Sequence, residues 1–396
     1  MNGTIFKRKL PSGHVTWGYS LDIGKDENGK RVRPQKIGFD RKLDAEIALR
    51  QKLNERDAGE VVKPDPRTFR EFAEAWLSEH AEIACSPKTA ERYREMLAHV
   101  TRAIGAQQLG KVTTLQLQRV YNQLLKCGKK DGSGHSIKTV RNVHGVVHVA
   151  LETAVAWGLL KMNPATRCKL PPAPKREAVA LDFSQARRLL ESSADHWLAD
   201  FLTLDAACGG RRGEMLALRW SDVGPEYCSV TISRSLEQTK SGLRLKETKG
   251  RNIRTVPLPQ DAIETLKRVK ASQDESQKMF GPDYRADLDL VLCHPSGDYI
   301  RPDTVTKAVR RLAKKAGFSR VSLHTLRHSY GSQLLSAGVP LAVVSKLLGH
   351  SSVLVTANVY SHALQSDESA AVEKWEAAQH AAGSKVVEIP LKKKQG

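Results

Sequence analysis

The residues of this chain whose types and spacing could do chemistry gather in four stretches of its C-terminal half. The first is Cys208-Gly209-Gly210-Arg211-Arg212-Gly213-Glu214, arginines after glycines at a helix start with a glutamate close behind. A carboxylate so placed can hold a guanidinium, and either Arg211 or Arg212 fits. The second is Lys246-Glu247-Thr248-Lys249-Gly250-Arg251-Asn252, where Gly250 marks a turn between two short strands and the lysines reach outward. In the third, His324-Thr325-Leu326-Arg327-His328, positions i and i+3 lie on one helix face. An imidazole beside a guanidinium suits a phosphate oxygen, the arginine giving bidentate hydrogen bonds. The fourth is Leu347-Leu348-Gly349-His350-Ser351-Ser352, followed by Tyr360. Each has an ordinary reading when taken alone: a surface arginine beside a cap, a solvated turn lysine, a tyrosine at the edge of a helix core.

The bulk properties agree with an anionic partner. The chain has 396 residues, 63 Lys+Arg against 43 Asp+Glu, and a net charge of +20. The excess is spread along the chain and is densest over 61–175, as expected of a protein whose cations follow a long duplex. The length suits two or three domains with cores large enough to need no staple. Cys85, Cys127, Cys168, Cys208, Cys228 and Cys293 stand alone, which fits a reducing cytosol and argues against a disulfide framework or a structural zinc site. His144 and His148 are one turn apart but have no third ligand nearby, so they read as structural histidines. No apolar run approaches the ~18–20 residues of a membrane span, and the start MNGTIFKRKL lacks the apolar stretch of a secretory signal.

Around these stretches the pattern predicts a multidomain α+β protein. Residues 1–60 read as three short strands, among them Val15–Leu21 and Arg31–Phe39, followed by a helix from Leu43 to about Ala58. Leu43, Ile47, Leu49 and Leu53 fall near helical spacing on that helix. Residues 61–67 carry two prolines and read as a linker. Residues 68–165 read as all-helical. Thr68 and Glu71 form a capping box, Ser86-Pro87 opens a helix to about 104, and further helices follow at 114–126 and 136–158. The proline-rich, basic stretch at 166–178 is a second linker. Residues 179–382 read as mainly helical with a small antiparallel sheet, its strands at about 228–234, 243–248, 253–257 and 290–292. Helices there are expected at about 183–194, 197–208, 212–218, 260–273, 303–316, 325–337, 341–348, 352–361 and 368–381. A basic tail, 383–396, closes the chain.

The order Arg…Lys…HTLRH…LLGHSS…Tyr strongly resembles the tyrosine recombinase (phage-type integrase) family, and the resemblance covers essentially the whole chain. It implies an arm-type DNA-binding domain at 1–60, a helical core-DNA-binding domain at 68–165 and a catalytic domain at 179–382, the last two closing on DNA as a clamp. Family members often carry Thr-Gly-Leu-Arg where this chain has Cys208-Gly209-Gly210-Arg211. The match selects Arg211 rather than Arg212, with Glu214 supporting it. Counting back from Pro257 selects Lys249 rather than Lys246.

The implied catalytic set is Tyr360 as nucleophile with Arg211, Lys249, His324, Arg327 and His350. Physically, two guanidiniums can neutralise the charge growing on a pentacoordinate phosphate, each such donor being worth roughly 3–4 kcal/mol. Lys249 would protonate the leaving 5′-oxygen, its pKa lowered by nearby arginines. Tyr360, with a reference pKa of about 10, would attack once cations stabilise its phenolate. No metal or other cofactor is expected. The implied activity is site-specific recombination of a phage or other mobile element. The expected partners are double-stranded DNA at core and arm sites, three further copies in a homotetramer, a host bending protein and a directionality factor, in a bacterial cytoplasm and at no membrane. A type IB topoisomerase-like relaxing enzyme and a catalytically silent DNA-binding regulator are the alternatives.

Overall fold

The computed structural model describes residues 3–9, 14–22, 33–57, 66–129, 131–174, 179–247, 253–364 and 368–382. Several sequence expectations fall outside them: the turns at 11–13 and 26–29, most of the first linker, the end of the second, Lys249 and the basic tail. The chain divides into two compact units, Met1–Lys175 and Arg176–Gly396.

The first unit opens with β1 (Gly3–Lys9), β2 (Val15–Leu21) and β3 (Gln35–Phe39), an antiparallel sheet with β2 in the centre, followed by α1 (Lys42–Asp57). Tyr19 and Leu21 of β2 pack on Leu49 of α1, with Ile5, Phe39, Ala48 and Leu53 around them. Gly18 has no side chain for a reason: a Cβ there would lie 2.7 Å from the Lys36 carbonyl across the bulge between β2 and β3. The buried face of α1 differs from the expected one. Ala45 and Leu49 are inside, whereas Leu43 and Ile47 are 60% and 57% exposed. Three- and four-residue steps run through both sets, and the small Ala45 wins the inner face because it lets the helix lie close on the sheet.

The same unit continues with α2 (Phe69–Trp76), a π-helical turn (Leu77–Ala81), α3 (Glu82–Ala84), α4 (Pro87–Ile104), α5 (Thr114–Cys127) and α6 (Ile137–Ala156). Thr68 and Glu71 form the reciprocal capping box, and Ser86 caps α4 ahead of Pro87. The helices converge on Phe69, Phe72, Trp76 and Tyr121, all fully buried, and the Trp76 indole N–H donates to Thr153 Oγ1 at 3.0 Å. His144 packs edge-on against Tyr121 and 5.9 Å from the His148 ring. Among the described residues no cluster of three or more His, Cys, Asp or Glu side chains is placed to hold a metal. After α6 the chain runs through turns to residue 167 and is then tied back, Lys169 N–H donating to Gln118 and Arg141 to the Pro171 carbonyl.

The second unit holds α7 (Phe183–Glu191), α8 (Ala199–Cys208), α9 (Arg212–Met215), β4 (Ser229–Ile232), β5 (Arg234–Thr239), β6 (Gly242–Glu247) and β7 (Arg254–Pro257). Then come α10 (Gln260–Phe280), α11 (Pro302–Lys315), α12 (Leu323–Ser336), α13 (Leu341–Leu348), α14 (Val353–Leu364) and α15 (Glu368–Ala382). Its main core runs from Leu189 and Phe201 through Met215, Val256 and Leu266 to Val309 and Leu326.

Four expectations change here. The strand expected at 228–234 is two strands broken at Ser233. The strands on either side of Lys249 are also not each other's partners: β6 pairs with β5, and β7 pairs with β4. The tight hairpin is the β5–β6 turn at Lys240-Ser241. Register explains the rest: Arg234 faces Glu247 and Ile232 faces Arg254, so residues 248–253 join two ladders. The helix expected at 260–273 runs on to Phe280, because its polar outer turns contain no breaker before Gly281, which ends it at φ 55°. Residues 290–292 form only an isolated bridge, Leu290 to Arg219.

No single helix among the described residues is long and apolar enough to cross a membrane.

The corrected face of α1 has a direct test. Leu49→Ala should lower the opening free energy of β2 amides, read by hydrogen exchange, by about 2–5 kcal/mol, the range for buried leucines. Ile47→Ser should change it by less than about 0.5 kcal/mol. Equal effects would restore the expected face.

Candidate active site

The first arginine is placed by a helix reversal. α8 ends at Gly209, whose φ of 55° is left-handed, and a Cβ there would fall 2.3 Å from the Tyr330 ring. Glycine meets both demands. The chain then turns into Arg211, the N-cap of α9. Glu214, 3% exposed, accepts the Arg211 backbone N–H at Oε2 (2.9 Å) and its Nη1 at Oε1 (2.7 Å). Arg212 points elsewhere, donating to Thr306 Oγ1 at 2.6 Å and to the Pro302 carbonyl on α11. The two arginines that the sequence left open are therefore separated by their partners.

Arg327 projects from α12 and is 3% exposed. Its Nη1 donates to the Gly209 carbonyl at 2.7 Å and its Nη2 to the Leu348 carbonyl. Burial, then the charges of Arg211 and Arg254, pulls its pKa down to about 10, so it remains a cation at neutral pH.

His324 lies one turn before Arg327 and stacks edge-on with His328 at 4.4 Å. His350 follows Gly349, whose φ is 64°, and its Nδ1 lies 2.7 Å from Thr356 Oγ1. All three imidazoles have lowered pKa values. Burial comes first for each; the Arg327 charge adds to it in all three, and Arg211 acts on His324 and His350. His328 and His350 are pushed down to about 4, which leaves them neutral at pH 7.

Tyr360 is 4% exposed, packed with Leu335, Val344 and Leu348. Its hydroxyl lies against Gly331 on α12, where a Cβ would come within 2.3 Å of Oη. Burial raises its pKa, and the Arg327 charge opposes that rise. Arg211, Glu214, His324, Arg327, His350 and Tyr360 thus all lie around α12 and the C-terminal end of α13. Lys249 is outside the described residues; Lys246, on β6, is exposed.

Two side chains escaped the sequence reading. Arg254, at the start of β7, is 5% exposed, and its Nη2 donates to Glu214 Oε2 at 2.7 Å. The signal was strand parity: Arg254 shares a face with the fully buried Val256, and a cation on an inner face needs a partner. The other is Asp205 on α8, fully buried near Arg327, with no hydrogen-bond partner for either carboxylate oxygen among the described residues. Burial raises its pKa well above the ordinary value.

Two arginines, neutral imidazoles and a phenol around one helix end form a site suited to holding a phosphodiester and attacking it. The known proteins this chain is similar to point the same way. Residues 180–367 match the phage integrase family, and residues 68–125 match the phage integrase N-terminal SAM-like domain. A tyrosine recombinase XerC-like protein of Caldanaerobacter subterraneus subsp. tengcongensis is 29% identical over 385 residues, covering 92% of this chain and 96% of that protein. The fold is similar to that of the Tn1549 transposon integrase solved with transposon right end DNA (TM-score 0.64, 18% identity, 78% of this chain and 99% of that one). It is also similar to a lambda integrase tetramer bound to a Holliday junction (TM-score 0.56, 17% identity, 90% and 94%). The chain belongs to the phage integrase family of tyrosine recombinases; it is a tyrosine-type site-specific recombinase, an integrase of the mobile-element kind.

The histidine environment sets a pH dependence. A folded-state pKa near 4 lies below the unfolded value of about 6.5, so between these values the unfolded chain binds more protons. This contribution to stability is complete above about pH 6.5 and is lost as the pH falls toward 4. The imidazole NMR signals of His328 and His350 should accordingly titrate near pH 4 in the DNA-free protein; titration near 6.5 would contradict the described burial.

The Tyr360 seat can be probed chemically. Gly331→Ala should displace the ring and raise nitration of Tyr360 by tetranitromethane several-fold, mapped by mass spectrometry. Unchanged nitration would show that the ring is not seated on Gly331.

Proposed function

We propose that this protein cuts and rejoins DNA strands through a covalent tyrosine intermediate. Arg211 and Arg327 bind the non-bridging oxygens of the scissile phosphate. Tyr360 Oη attacks phosphorus as its proton leaves to a neighbouring neutral imidazole, His324 or His350. The bond from phosphorus to the 5′-oxygen breaks, and Lys249 delivers a proton to that oxygen. The product is a 3′-phosphotyrosine and a free 5′-hydroxyl. Attack by another 5′-hydroxyl reverses each step and joins a new strand without ATP. The arginines supply the positive charge that a divalent cation supplies in many nucleases.

The observation that carries this reading is the meeting of Arg211 and Arg327 at the C-terminal end of α13, immediately before His350. Two cations gather there around one point with neutral imidazoles beside them, an arrangement that favours a bound anion.

Residues 68–165 and 179–382 bind core DNA in this reading, and residues 1–60 bind separate arm sites, so that one protomer bridges distant sequences. Four protomers exchange strands in two steps through a four-way junction, with a host bending protein and a directionality factor setting the outcome. The lambda integrase tetramer on a Holliday junction supports that assembly. Val372 and Trp375, exposed on α15, are suited to pack on a neighbouring protomer.

The test uses a nicked suicide duplex carrying the inverted repeat that the purified protein footprints. Tyr360→Phe should bind this DNA within about threefold of wild type and form no denaturant-resistant adduct; an adduct from Tyr360→Phe would assign the nucleophile elsewhere. Lys249→Ala should cleave the normal phosphodiester roughly 10²–10⁴-fold slower. It should cleave a 5′-bridging phosphorothiolate at nearly the wild-type rate, because a thiolate leaves without a proton. Lys246→Ala should match wild type on both, and the opposite pattern would exchange the two lysines.

A further inference from the structure

Three consecutive carbonyls at the end of α13 each receive an arginine. Arg254 Nε donates to Leu347 at 2.8 Å, Arg327 Nη2 donates to Leu348, and Arg211 Nη2 reaches Gly349 at 3.5 Å. A helix C-terminus leaves such carbonyls without intrahelical partners and carries partial negative charge, so cations belong there. Arg327 and Arg211 have work to do on phosphate. The proposed reaction gives Arg254 no such task; it is buried, with Nε on the Leu347 carbonyl and Nη2 on Glu214.

Those contacts reach two parts of the site. Through Nη2, Arg254 holds the Glu214 oxygen that also accepts the Arg211 backbone N–H. The other Glu214 oxygen takes the Arg211 guanidinium. Through Nε, Arg254 holds the last turn of α13, two residues before the left-handed Gly349 and three before His350. Its guanidinium also lies so close to Gly349 that a Cβ there would fall 2.7 Å from Nη1. Gly349 is thus required twice, by its φ and by the arginine beside it.

We propose that Arg254 is a positioning residue for strand cleavage, clamping Glu214 and the α13 terminus so that Arg211 and His350 are held ready for the phosphate. This rests on the reaction described above. In this proposal Arg254 acts through Glu214 and the Leu347 carbonyl. It also sits at the head of β7.

The charge balance around Glu214 gives the proposal a signature that packing alone lacks. Burial works to raise the Glu214 pKa, and the hydrogen bond and charge of Arg254, followed by the bonds from Arg211, overcome it and hold the carboxyl below its ordinary value. The other charged or titratable groups that sense this carboxylate are Arg327 on α12 and Asp205 on α8. Burial holds the Asp205 pKa well above its ordinary value, against the opposing charge of Arg327. Removing Arg254 leaves Arg211 as the sole direct partner of Glu214 among the described residues and lets burial prevail.

The experiment has one arm without DNA and one with it, both on the full chain. In the free protein, the Arg211 Nε–H order parameter and the Glu214 carboxyl titration are read by NMR. Arg254→Met should make the Arg211 side chain mobile and move the Glu214 titration to higher pH. Arg254→Lys, which restores the charge but only one of the two bonds, should fall between. With the nicked duplex, Arg254→Met should slow single-turnover adduct formation about 10–100-fold at pH 7.5, with DNA binding within threefold. The acid limb of its pH profile should move upward.

In a Glu214→Gln background, adding Arg254→Met should slow cleavage little further and leave the acid limb in place. This double variant also guards against misfolding, because it removes both members of the buried pair. A rigid Arg211 in Arg254→Met, an unmoved acid limb, or a full additional loss in the Glu214→Gln background would overturn the proposal. Should wild type form no adduct at Tyr360, the reaction assignment would fall on that result alone, and the free-protein arm would still decide whether Arg254 holds Arg211.

Discussion

The site depends on one buried carboxylate. Glu214 stands between Arg211 and Arg254, with a third cation, Arg327, within electrostatic reach. Three guanidiniums gathered around one helix end repel one another, and at an effective dielectric of about 20 a pair of charges 4 Å apart interacts by roughly 4 kcal/mol. A single glutamate cannot neutralise three arginines. The backbone carbonyls of residues 209 and 347–349 take up the remaining hydrogen-bonding demand, and the negative end of α13 supplies the compensating field. The result is a surplus of positive charge, buried at Arg254 and Arg327 and exposed at Arg211, that is assembled before an anion arrives, the condition under which electrostatic stabilisation of a transition state is most effective.

The same surplus sets the state of the imidazoles. A histidine in this field cannot hold a proton near neutral pH, because burial and the arginines both oppose it. His324, His328 and His350 therefore add acceptor and donor capacity without adding charge. A neutral ring can take a proton from a phenol, which an imidazolium cannot. Cations that attract phosphate thus also keep the neighbouring bases in the form that can deprotonate a nucleophile.

Local signals in the sequence were read well because their physics is local. The capping box at Thr68, the Ser86-Pro87 start and the helix end at Cys208 each depend on a few adjacent residues. The ordered motifs around Arg211, Arg327, His350 and Tyr360 were legible for a different reason: four spaced patterns together match a known family. Properties set by distant contacts were read less well. Which strand β6 joins depends on β5, and the break at Ser233 falls within a run with no breaker residue. The inner face of α1 is chosen by the sheet beneath it, which prefers Ala45 to Leu43. Arg254 looked like one more basic residue in a basic stretch, and only the parity of β7 pointed it inward.

Tyr360, the proposed nucleophile, is held by packing. Among the leucines and Val344, the Tyr360 phenol is harder to ionise than in water, so in this seat it is a poor nucleophile. Arg327 alone opposes that rise, and two of its donors are spent on carbonyls. The neutral His328 ring already packs edge-on against the Tyr360 ring at 6.0 Å, so what the seat lacks is the charge of a second arginine. Gly331 provides a seat that fits the hydroxyl but gives it no hydrogen bond among the described residues, so the ring is held by packing alone. Dispersion contacts are individually weak and carry no directional bond to break. Leaving this seat gives up the packing of an almost fully buried ring, a collectively large term, whereas the arginine clasp is made of directional and charged bonds.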